Sequence, residues 1–120
     1  LLPRGRFALA PLYDVMSVYP VRGDGPNQWS SYEVKLAMAL LGKNRHYEMQ
    51  GIQRRHFSST VQKVGYASTA EPIIEEILAR TPAAIAEVQA ELPEGFSSRV
   101  LDAILGGLEQ AARTLGGMSP

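Results

Sequence analysis

Apolar residues return at three- and four-residue steps through the second half of this chain, and that spacing constrains the fold more than any other feature. Val100, Leu101, Ile104, Leu105, Leu108, Ala111, Ala112 and Leu115 fall on one face of a helix. Ser97 or Ser98 is placed to cap it, and Gly116-Gly117 to stop it. A second stripe runs through Ile74, Ile77 or Leu78, Ile85, Val88 and Leu92. Ser68 or Thr69 caps it, Glu71 sits in its first turn, and Pro72 lies close to the start, where proline is tolerated. Thr81-Pro82 falls inside this run. It either kinks one long helix or divides it in two, with Thr81 as the second cap. Pro93 and Gly95 end the element. A third stripe, Ile52, Phe57, Val61 and Val64, closes at Gly65. Amphipathic helices must bury their apolar faces against one another. The expected fold is therefore mainly α, a bundle of three to four helices over residues 51–117.

The first half reads differently. Arg6 to Ala10 is a short predicted strand with Phe7 and Leu9 on one face, ended by Pro11, which has no ladder donor. Leu12 to Ser17 is a turn. Tyr19 to Asn27 is a loop punctuated by Pro20, Gly23, Gly25 and Pro26, and Trp29 to Tyr32 returns the chain to the body. Val34 to Leu40 is ambiguous. Its Ala, Leu, Met and Lys favour helix, but Gly42-Lys43-Asn44 and the run Arg45 to Met49 that follow suggest a β-hairpin. The organisation is a single unit: a strand, turn and loop over 1–33, the ambiguous segment over 34–50, and the bundle.

Composition removes several functions. Twelve basic and twelve acidic residues give zero formal charge, so no bulk field draws in nucleic acid. Arg54-Arg55-His56 is the one dense basic cluster, and such runs are usually a solvated helix face. Without cysteine there are no disulfides, no thiolate nucleophile and no cysteine zinc site. That usage fits a reducing cytosol. No apolar run is long enough to span a bilayer. The start at Leu1 and the early Pro3 read as a segment of a longer protein.

Asp14 is the residue placed to do chemistry. It follows an apolar segment and a proline, so a strand end would present its carboxylate while Leu12 and Val15 stay in the core. The block Phe7-x-Leu9-x-Pro11-Leu12-Tyr13-Asp14-x-x-Ser17, then Tyr19-Pro20, resembles the metal-binding motif of the HipA-like serine/threonine kinases, the toxin kinases of bacterial toxin–antitoxin modules. Lys35-Leu36-Ala37-Met38-Ala39, Gly42-Lys43-Asn44 and Arg55-His56-Phe57 ahead of Gly65 are similar to later blocks of that family. The resemblance spans roughly Phe7 to Leu115, and its last part matches only in pattern and length. It implies that Asp14 binds magnesium, where hard oxygen ligands are required, and that Tyr13 lies at the nucleotide. It also implies a hairpin over 34–50, which tips the ambiguous segment toward β. For the parent it implies Mg-ATP as cofactor, a protein substrate, a DNA-binding antitoxin as partner, and a cytoplasmic, membrane-free setting without direct nucleic-acid contact.

Much of the family's machinery is absent. No segment of these residues carries the Asp, His and Asn that hold the family's catalytic base, and no glycine-rich phosphate loop is found. Lys35 and Lys43 follow Asp14 and do not take the place of an upstream nucleotide lysine. The expectation is the C-terminal part of a kinase, with no catalytic residue of its own and no activity alone. The alternative is a helical partner-docking module, for instance an antitoxin-binding one, in which Asp14 has no role. A third reading is an unrelated helical domain. An exposed first strand would also favour self-association. Ser17 reads as a turn hydroxyl, His56 as a hydrogen-bonded packing residue, Glu75 and Glu76 as solvated charge, Met16, Met38 and Met49 as core filler, and Trp29 equally as contact residue or core anchor.

Overall fold

The computed structural model describes residues 15–120. The predicted strand Arg6 to Ala10, Tyr13 and Asp14 lie outside the described residues. Two strands, β1 (Lys35–Leu41) and β2 (Arg45–Glu48), form an antiparallel hairpin, followed by α1 (Arg54–Lys63), α2 (Glu71–Ala90) and α3 (Ser98–Gly116). Single 3-10 turns, Tyr19–Val21 and Met49–Gly51, lie before the hairpin and after it. The fold is a small, mainly helical domain carrying a β-hairpin.

The hairpin pairs Lys35 with Glu48, Leu40 with His46 and Leu41 with Arg45. Between Lys35 and Leu40 the first strand advances further than the second does from Glu48 to His46, which makes a bulge. Helix-favouring residues are extended here because α1 supplies tertiary partners that outweigh propensity. Thr60 Oγ1 accepts from the Leu41 N–H at 2.7 Å and donates to the His56 carbonyl at 2.7 Å. Lys63 Nζ donates to the Gly42 carbonyl. The His46 and His56 rings stack with centroids 3.7 Å apart.

Helix α1 ends as its sequence predicts. Gly65 takes a φ of +71°, Gly65 N–H bonds to the Gln62 carbonyl, and Tyr66 N–H reaches back to Val61. That paired bonding closes the last turn with a left-handed glycine. Capping of α2 is shared between elements. Thr69 Oγ1 accepts from Glu71 N–H, and Ser58 Oγ of α1 accepts from Ala70 N–H, both at 3.2 Å. Despite Pro82, α2 is one unbroken helix, so the choice between a kinked and a divided element resolves to a single one. Thr81 Oγ1 donates to the Ile77 carbonyl at 2.8 Å in the turn where the proline has no N–H to give. At the start of α3, Ser97 holds the cap position but makes no side-chain capping bond. Leu78 of α2 lies against Gly116 at the end of α3.

The core is thin. Among the described residues its buried apolar members are Val34, Ala70, Ile74, Ile85 and Leu105. Two expected core fillers are not there: Met38 is 81% exposed and Met16 86%. Val15, expected in the core, is 79% exposed as well, and Met38 stands on a hairpin that has α1 as its helical neighbour. No helix among the described residues is long and apolar enough to cross a membrane.

Candidate functional site

Val15 to Trp29 build the largely apolar side of the candidate site against α3. Ser17 Oγ accepts from Tyr19 N–H at 3.3 Å, the turn role its sequence context suggests. The Tyr19 ring then lies over Gly107 of α3, with the Arg22 guanidinium 4.8 Å from the ring centroid. A side chain at Gly107 would overlap that ring. Gly25-Pro26-Asn27-Gln28 closes a turn with Asn27 at φ +65° and a Gln28 N–H bond to Gly25. It returns the chain so that Trp29 N–H bonds to the Val21 carbonyl at 2.8 Å.

Between these segments and α3 runs a groove of about 480 Å³, lined largely by apolar side chains including Met16, Tyr19, Trp29, Met49, Ile104 and Leu108. Trp29 stands at its edge, 62% exposed, and so is no core anchor. A second recess, about 320 Å³, follows β2 and is lined by Lys35, Asn44, Arg45, His46, Tyr47 and Glu48. Both are chemically plain. Among the described residues no three His, Asp or Glu side chains converge to hold a metal ion. The one metal ligand named from the sequence, Asp14, and its neighbour Tyr13 lie outside them.

The basic cluster Arg54-Arg55-His56 separates in space. Arg54 is 5% exposed and bridges α1 to α2. Its Nη2 lies 2.5 Å from Glu71 Oε2, and it also pairs with Glu75. Hydrogen bonds to Glu71 and then to Glu75 raise its pKa above the ordinary guanidinium value, against the opposing effect of burial. Glu75 is thus part of a bridge, while Glu76 is the solvated charge its sequence context suggests and pairs with Arg80 at the surface. His56 is also buried, at 5% exposure. Its Nδ1 accepts from Gln53 N–H at 3.2 Å, which satisfies the donor at the cap of α1. Burial, followed by the nearby His46 and Arg55, lowers its pKa below that of a free imidazole. Only Arg55 of the three faces solvent.

A different charge pattern was missed by taking the chain's total. Residues 33–66 carry Lys35, Lys43, Arg45, Arg54, Arg55 and Lys63 against Glu33 and Glu48. Residues 70–120 carry eight acidic residues against three arginines. Summing charge by segment would have found this. No family model matches this chain.

Proposed function

We propose that this chain is the helical part of a HipA-like protein serine/threonine kinase, with Asp14 holding the magnesium ion of Mg-ATP and Tyr13 lying at the nucleotide. The observation that carries the reading is the hairpin at Lys35–Glu48. Propensity alone favours a helix in its first strand; the Gly42-Lys43-Asn44 turn and the resemblance to the kinases both point to β. Three helices follow it, in the order the resemblance implies. Magnesium, when bound, would neutralise charge on the nucleotide phosphates. A single carboxylate ligand does not transfer phosphate, so the chain by itself is expected to be inactive.

Titration of a fluorescent ATP analogue with and without magnesium tests this. Weak magnesium-dependent binding that is lost in Asp14→Ala is the expected result. Binding indifferent to that substitution, or none at all, overturns the nucleotide role. Phosphate transfer to a peptide above blank overturns the assignment of this chain as an incomplete kinase. The second reading, a partner-docking module in the place of an antitoxin-binding surface, is favoured by a separate observation: the open groove beside Trp29, with Met16 and Leu108 exposed in its walls.

A further inference from the structure

We infer that the hairpin edge formed by β2 docks an acidic, extended segment of a partner protein. Four observations converge on this edge. The two-stranded sheet gives β2 only one neighbour, so among the described residues its outer side has no paired strand. Free strand edges accept a further strand through main-chain hydrogen bonds. The recess of about 320 Å³ follows that strand from Asn44 to Glu48 and is walled at one end by Lys35. His46 turns toward α1 to stack on His56, so the alternation of a strand directs Arg45 and Tyr47 to the opposite face. Lys35 and Arg45, the two cations that line the recess, are exposed and form no ion pair with a described residue. Tyr47 adds an exposed aromatic anchor, a residue type enriched where proteins meet.

Charge decides between partner classes. A nucleic acid is a long, uniform polyanion, and the half of the chain that follows α1 carries net negative charge, most of it on α2 and the loop after it. Glu48 within the recess also repels a phosphate chain. A peptide suffers neither penalty. Alternation lets it set Glu or Asp side chains on the face of Arg45 and apolar ones beside Glu48, and its backbone N–H groups can meet β2 carbonyls. The inference stands apart from the nucleotide reading. It gives a partner chemistry for the docking alternative, and its test uses no nucleotide.

The test is fluorescence anisotropy of the full chain with a labelled peptide of roughly ten residues alternating Glu and Val. The same peptide with Gln for Glu, and a labelled single-stranded DNA of equal charge, are run beside it. Saturable binding of the Glu peptide is expected, weakened at least about tenfold by Arg45→Glu and by raised salt. Arg80→Glu, on the opposite charge half, is expected to leave it unchanged. Circular dichroism checks that each variant retains its helix content, and a Lys35→Glu variant repeats the test if Arg45→Glu does not fold. Absence of binding, equal binding of the Gln peptide, indifference to both hairpin substitutions, or tighter binding of the DNA would each overturn the proposal.

Discussion

The side chains that organise this fold are those whose chemistry is spent on a neighbour. His56 is the sharpest case. An accepting Nδ1 requires the proton on Nε2, so the ring is neutral when it caps α1. A second proton would set two N–H groups against each other at the helix start, where the dipole also opposes positive charge. The lowered pKa fixes the sign of the pH dependence. The unfolded chain takes up a proton near pH ~6.5 while the folded chain still resists it. His56 therefore costs nothing above that pH, and stability falls progressively as pH drops from there to the folded value. Melting temperatures between pH ~7.5 and ~5 should decline on the acid side. His56→Gln, which keeps a capping acceptor without titrating, should flatten the decline. An equal slope in both proteins would remove His56 as its source. A second residue-scale test uses adjacent glycines of α3. Nothing lies near a side chain at Gly106, so Gly106→Ala should stabilise by about 0.5–1 kcal/mol through helix propensity alone. Gly107→Ala drives a methyl into the Tyr19 ring and should cost about 1–3 kcal/mol. In a Tyr19→Ala background that cost should vanish, as urea titration of the four proteins would show.

At the scale of elements, one guanidinium makes both ion pairs that join α1 to α2 among the described residues. Glu71 relies on it, because its Oε1 is buried with no hydrogen-bond partner and its Oε2 is satisfied by Arg54. Removing the cation leaves a half-buried carboxylate uncompensated. Arg54→Met should therefore lower the melting temperature on the order of 10 °C. Arg80→Met breaks an exposed pair one helical turn apart and should shift it by only about 3 °C or less. Similar losses for the two variants would mean that Arg54 contributes no more than a surface charge. This bridge was not legible in the sequence. Its partners stand seventeen and twenty-one positions away, and nothing local marks an arginine as buried. The helices were legible, because a stripe and a stop are local signals: the Gly65 ending and the α3 stripe both appear where spacing put them. The hairpin sat between these cases. Its turn was readable, but Lys35–Leu41 has a helix former's composition and is extended because Thr60 and His56 lie beneath it. Met16 and Met38 were misread for the same reason in reverse. Hydrophobicity says what a side chain prefers, not whether a neighbour is present to cover it.

At the scale of the molecule, burial among the described residues is scarce relative to the apolar surface they display. The buried aliphatic side chains are few and small in number beside the exposed Met16, Trp29, Tyr32, Met38 and Tyr66. Exposed residues of this kind are ordinary when scattered, but Met16 and Trp29 line one continuous groove with Leu108. Water on such a surface favours any occupant that removes it, and in a solution of this chain alone a second copy is available. Reversible self-association at micromolar concentration is the expected consequence. Trp29 is the only tryptophan of the chain and stands in the groove wall, so its fluorescence reports directly on whether that wall is covered. Dilution should move the emission to longer wavelength in step with a fall in sedimentation coefficient, and Leu108→Ser should weaken both. A monomer with long-wavelength emission at every concentration would mean that the groove stays open and wet. A monomer with short-wavelength emission at every concentration would mean that the chain covers the groove itself. Either result excludes association through this face, and the two differ in whether a surface is left for another protein to use.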